Sequence, residues 1–158
     1  MIKHITGFTL IELVVIVVVV GILGVALSFF PGTLLSVQPV AQQFASDLRY
    51  TQNLAMSRGE LFYLSLDSSS SYSIHDSQGV LQNHTGSQAT RMTLGNRVTF
   101  VSTTVLPQQL IAFDAQGVPY VDKGGVQPLS SVATLCLQLA REQSCVSIQP
   151  MTGFVGTS

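Results

Sequence analysis

Few side chains here have the types and spacing that chemistry requires. Ser71, His75 and Asp76 hold the residue types of a hydrolytic triad. Triads are assembled from separated segments, however, and Asp76 is adjacent to the histidine. Turn chemistry accounts for all three. His4, His75 and His84 are isolated and lack metal-ligand spacing. Asp114, Asp122 and Gly124 suggest calcium, but EF-hand spacing is missing and loop turns suffice. Asn83-His84-Thr85 fits the glycosylation sequon, a pattern common by chance. No catalytic residue, metal or cofactor is expected. Two features stand out instead. One is Glu12, a lone carboxylate near the front of a long apolar run. The other is the pair Cys136 and Cys145.

The run extends from Phe8 to Phe30 and is otherwise broken only by hydroxyls and glycines. As a helix it spans about 35 Å, enough for a hydrocarbon core of about 30 Å. Lys3 precedes it, and no positive charge follows until Arg49, which places the N-terminus in the cytoplasm and the remainder outside. The run is too long for the core of a secretory signal, and no convincing cleavage site follows it. An uncleaved anchor fits the hydropathy but leaves Glu12 unexplained, because an acid in a spanning helix costs a few kcal/mol without a partner. A cut between Gly7 and Phe8 supplies that partner. It frees an α-amino group on Phe8, four residues before Glu12, and such a pair fixes register between neighbouring helices.

Gly7-Phe8-Thr9-Leu10-Ile11-Glu12-Leu13, followed directly by the apolar run, resembles the class III signal of type IV prepilins and pseudopilins. The resemblance implies that a prepilin peptidase cuts after Gly7 and N-methylates Phe8. It implies that Glu12 pairs with the Phe8 amine of an adjacent subunit. The apolar helices then leave the bilayer and form a filament core. Gly21 and Gly24 suit close helix packing, and equally suit the tolerance of membrane helices for glycine. Pro31 sits where the family usually carries a kinking proline, a couple of residues late.

The chain has 158 residues, is 46% hydrophobic and only 9% charged, and carries a net charge of −1. Basic residues are scattered, which argues against nucleic acid. After Pro39, Val40, Phe44, Leu48, Thr51 and Ala55 recur at helical spacing. Gln42, Gln43, Asp47, Arg49, Gln52 and Asn53 fill the other faces, and a stop falls near Ser57-Arg58-Gly59. Beyond residue 60, short strands are expected at 61–66, 71–75, 80–82, 91–94, 98–103, 110–114 and 118–121. A final hairpin places Leu135, Leu137, Leu139, Val146 and Ile148 on the core face, with Arg141-Glu142-Gln143-Ser144 between its strands. That tight hairpin leaves Cys136 and Cys145 four rungs apart, about 13 Å. An oxidising compartment favours a disulfide between them, which needs direct pairing of 136 with 145. Both arrangements remain open.

The expected fold is thus α+β and type IV pilin-like. A long N-terminal helix, half membrane-spanning and half amphipathic, packs on a C-terminal antiparallel β-rich head. The expected divisions are a 1–7 leader, an 8–30 transmembrane and filament-core helix, a 31–59 amphipathic half and a 60–158 periplasmic head. Asp47 to Gly59, Phe113 to Pro119 and Thr152 to Val155 resemble the landmarks of the minor-pilin group typified by FimT and GspH. Minor pilins of mannose-sensitive haemagglutinin (MSHA) pili share the layout. The resemblance implies a minor pilin or pseudopilin of a type IV pilus or type II secretion pseudopilus. Its implied partners are other pilins or pseudopilins, the prepilin peptidase, an inner-membrane assembly platform and the lipid bilayer. It implies a single pass through the bacterial inner membrane and later residence in the pilus or pseudopilus. The alternative is a pilus-tip binding module, an adhesin or DNA-uptake receptor. DNA-uptake members carry arginines around the C-terminal glycine, whereas Phe154 follows Gly153 here and no arginine follows Arg141.

Overall fold

The computed structural model describes residues 9–28, 36–83, 89–95, 97–104 and 106–158, without the side chains of 24–28 and 102–104. The chain divides into two units, Met1–Leu34 and Leu35–Ser158.

The first unit holds helix α1, Leu10–Ser28. Thr9 opens it. The Glu12 N–H donates to Thr9 O (3.1 Å) and lies 3.4 Å from Thr9 Oγ1. Thr9-Leu10-Ile11-Glu12 therefore has capping-box spacing, and Glu12 sits in the first turn, where the helix dipole favours an acid. From Leu10 to Leu23 every large apolar side chain is exposed. The helix is apolar on all sides, with no polar face to give to water. Among the described residues no helix is long and apolar enough to cross a membrane. The expected span, Phe8–Phe30, extends past α1 at both ends.

The second unit begins with α2, Gln38–Arg58. Pro39 occupies its first turn, where a missing N–H costs nothing. Gly59 ends it at φ 69, its N–H donating to Ala55 O at 2.9 Å. Ala41, Phe44, Ala45, Leu48, Thr51 and Ala55 form the buried face.

Asp47 corrects the sequence reading, which placed it on an outward face. It is fully buried, three residues after Phe44 and four before Thr51, and so lies on the inward stripe. Tyr72 makes this tenable: its hydroxyl donates to Asp47 Oδ2 at 2.7 Å. Gln43 Nε2 donates to Oδ1 at 3.3 Å. Burial, and then the bond to Asp47 and its charge, push the Tyr72 phenol far above its usual range. Phe44 meets the Tyr72 ring edge-on at 5.0 Å.

Among the described residues ten antiparallel strands follow: β1 Phe62–Ser68, β2 Ser71–Asp76, β3 Leu81–Gln82, β4 Arg91–Thr93, β5 Thr99–Thr104, β6 Leu110–Phe113, β7 Pro119–Tyr120, β8 Ala133–Leu139, β9 Glu142–Ile148 and β10 Val155–Thr157. One sheet runs β3-β2-β1-β6-β7, with β4 also on β2. The other runs β10-β9-β8-β5. Helix α2 lies against β1 and β6 of the first and β9 and β10 of the second. Phe62, Leu64, Ile74, Ile111, Leu135 and Ile148 fill the core with it.

The final hairpin holds the largest departure in register. Its turn is the two residues Ala140 and Arg141, with Leu139 opposite Glu142, not the expected four-residue stretch from Arg141 to Ser144. Ala140 takes φ 55, the left-handed turn position that usually calls for glycine or asparagine. With neither residue present, nothing local marked the turn. The shorter turn places Cys136 directly opposite Cys145. It still turns Leu135, Leu137, Leu139, Val146 and Ile148 into the core.

Candidate functional site

Glu12 is the one sequence-derived assembly residue with a described side chain that could pair with an amine. It stands exposed on α1, in the first turn. Gly21 lies in the same helix with nothing within 4 Å of a β-carbon added there, which leaves room for a neighbouring helix. Gly24 is within α1. Gly7, Phe8 and Pro31 lie outside the described residues, as do the leader, His4 and His84.

In the second unit, the three segments expected to be family landmarks converge on one side chain. Gln52, on α2, donates through Nε2 to Gly117 O (2.9 Å) and Thr152 O (3.0 Å). Two loops are thereby tied to one turn of helix. Asp114 shapes the first, accepting from the N–H groups of Gln116 and Val118, each at 2.9 Å. The second is closed by the Gly153 N–H donating to Gln149 O at 3.1 Å. Gly153 takes φ 63, and a β-carbon there would lie 2.5 Å from Gln52 Nε2 and 2.6 Å from Gly117 O. Only glycine fits this crossing. By helical spacing alone Gln52 is one of the polar residues filling the outer faces of α2. Its role depends on two loops 65 and 100 residues away.

The start of α2 is held from the other end of the chain. Glu142 Oε1 accepts from Ser36 Oγ (3.0 Å), and Oε2 accepts from the Val37 N–H (3.2 Å). The carboxylate supplies the cap that Val37 lacks. Glu142 stands at the first residue of β9, in a hairpin cross-linked by the Cys136–Cys145 disulfide, Cα atoms 4.1 Å apart. Both backbone groups of Cys145 bond to Ser158 on the far side. The cysteine pair is therefore a non-hydrogen-bonded rung, where facing side chains come closest.

The catalytic temptations resolve into turns and packing. Ser71 Oγ meets Ser68 Oγ at 2.7 Å. Asp76 accepts from the N–H groups of Gln78 (3.0 Å) and Val80 (2.8 Å). His75 bonds Ser73 and Gly79 O and stacks on Tyr63 at 4.8 Å. Asp122 folds its loop by accepting from the N–H groups of Gly124, Val126 and Gln127. Those bonds, led by Gln127, hold its carboxyl below the usual range. Among the described residues no group of three or more His, Cys, Asp or Glu could hold a metal ion.

One family model, type II transport protein GspH, matches residues 40–153. Among solved structures, the chain is similar to the type IV minor pilin FimU of Pseudomonas aeruginosa at 16% identity and TM-score 0.52, over 77% of this chain and 91% of that one. A second crystal form of FimU gives 15% and 0.54, over 77% and 87%. The minor pseudopilin EpsH from the type 2 secretion system of Vibrio cholerae gives 18% and 0.54, over 78% and 96%. At these identities the likeness is one of fold. No curated protein matches by sequence.

Proposed function

The chain belongs to the type II transport protein GspH family, and from that premise we propose how it is processed and assembled. It is a minor pilin or pseudopilin, a subunit of a type IV pilus or type II secretion pseudopilus that assembles with other pilins or pseudopilins. In our reading a prepilin peptidase cuts between Gly7 and Phe8 and methylates the new amine. The precursor crosses the bacterial inner membrane once, through the Phe8–Phe30 run, with its head in the periplasm. An assembly platform extracts it, and Glu12 meets the Phe8 amine of the neighbouring subunit. The protein works by assembly and has no catalytic role.

The observation that carries this is the conjunction of a GspH-type head with an all-round apolar helix whose first turn holds one exposed acid, Glu12. The dipole tolerates a carboxylate there, but an apolar surrounding requires a counter-charge. Substituting Glu12→Ala should leave membrane insertion intact and block incorporation into filaments, read by sheared-filament and membrane immunoblots. Normal incorporation of that variant would remove the ion pair from the account.

A further inference from the structure

The β10-β9-β8-β5 sheet gathers two cations at one end. Thr99 pairs with Gln138, so Arg97, two residues before Thr99, and Ala140-Arg141, the turn just past Leu139, fall at the same end of the sheet. Arg97, Leu139, Ala140, Arg141 and Glu142 line a cleft of about 480 Å³. Both arginines are presented by unusual backbone. Arg97 itself takes φ 72, between buried Leu94 and Val98, and Ala140 takes φ 55 just before Arg141. Non-glycine residues adopt this region at a cost and only where their surroundings hold them there.

Glu142, the acid lining the cleft, is already committed: its two oxygens accept from Ser36 and Val37. Among the described residues neither Arg97 nor Arg141 has an ion-pair or hydrogen-bond partner. Two planar guanidiniums beside one carboxylate leave the concavity net positive, and their forked donors match an oxyanion. Leu139 and Ala140 add an apolar wall for the carbon beside it.

We propose that this cleft binds a phosphate group through Arg97 and Arg141, supplied by an anionic lipid headgroup or by free phosphate. The cleft lies where Ser36 and Val37 bring the chain into the second unit, which favours the lipid; that source rests on the membrane-anchored reading, and the phosphate site does not. A nucleic-acid strand fits poorly, because two arginines without a continuing basic track make too few phosphate contacts.

The test uses the full chain in uncharged detergent micelles, with amide NMR shifts read at Val98 and Leu139 to Glu142. Titrants are short-chain phosphatidylglycerol, inorganic phosphate and a DNA duplex. Phosphatidylglycerol should give saturable shifts at these amides, at least about tenfold weaker in the Arg97→Gln/Arg141→Gln double variant, which should melt as the parent does. Saturation by inorganic phosphate at equal strength supports the site with free phosphate as the source. Stronger binding of phosphatidylglycerol identifies the lipid. No saturable shift with either, unchanged shifts in the double variant, or saturation by DNA alone would overturn the proposal. Prepilin processing does not enter this titration, so its failure and the failure of the assembly reading are separable.

Discussion

Replacing Gly153 with alanine should unfold the second unit far more readily than the same change at Gly59. Both glycines hold left-handed backbone, φ 63 and φ 69. Alanine there costs about 1–2 kcal/mol at either position. The positions differ in space. Nothing lies within 4 Å of a β-carbon at Gly59, whereas at Gly153 it would meet Gln52 Nε2, Gly117 O and, at 3.0 Å, Phe113 Cε1. The Gln52 amide must then leave both of its carbonyls, at about 1 kcal/mol per bond. Gly117 O is backbone and moves only with its turn. Gly153→Ala should therefore cost about 3–4 kcal/mol. A unit of this length loses roughly 4 °C of Tm per kcal/mol, so about 12–16 °C is expected, against about 4–8 °C for Gly59→Ala. Thermal melts of the purified full chain in one detergent, followed by near-UV circular dichroism, compare the two directly. Equal shifts, or a larger one at Gly59, would refute the view that the Gln52 crossing ties α2 to both loops.

Three further perturbations probe other parts of the same unit. The disulfide closes a loop with a sequence separation of 9, for which chain entropy gives about 2.7 kcal/mol. The Cys136→Ser/Cys145→Ser double variant should lose about that much in urea titrations, with the parent losing the same on reduction. Glu142→Ala removes the cap on α2 and should cost about 1 kcal/mol, with roughly fivefold faster hydrogen exchange at the Val37 amide. Tyr72 sets an alkaline limit. Its folded pKa lies above the unfolded value near 10, with burial the leading cause. Its contribution is therefore whole below pH 10 and is lost as pH rises beyond that. Stability measured from pH 8 to 12 should fall more steeply in the parent than in Tyr72→Phe.

What could be read from sequence follows from how far its physical causes lie along the chain. The Phe44, Leu48, Thr51, Ala55 stripe and the leucines of β8 are periodic and local, and they lie where periodicity put them. Asp47 was misplaced because its justification, the Tyr72 hydroxyl, is 25 residues away. The turn at Ala140 and Arg141 was missed because neither residue advertises left-handed backbone. Correct register there depends on the whole β8–β9 pairing. The β10 strand, Val155–Thr157, is short and carries one large apolar residue, so alternation cannot reveal it. Glu12 was conspicuous for the opposite reason: a single charge in a uniform apolar run contrasts with every neighbour. The crossing at Gln52 and the arginine cleft join segments distant in sequence, and only the fold brings them together.

The central claim is that GFTLIEL encodes a cut that supplies the amine and an acid that answers it. Intact mass and N-terminal sequencing of the protein extracted from membranes of cells with an active prepilin peptidase test it most directly. The account predicts a chain beginning at N-methylated Phe8. A chain still beginning at Met1 would contradict it.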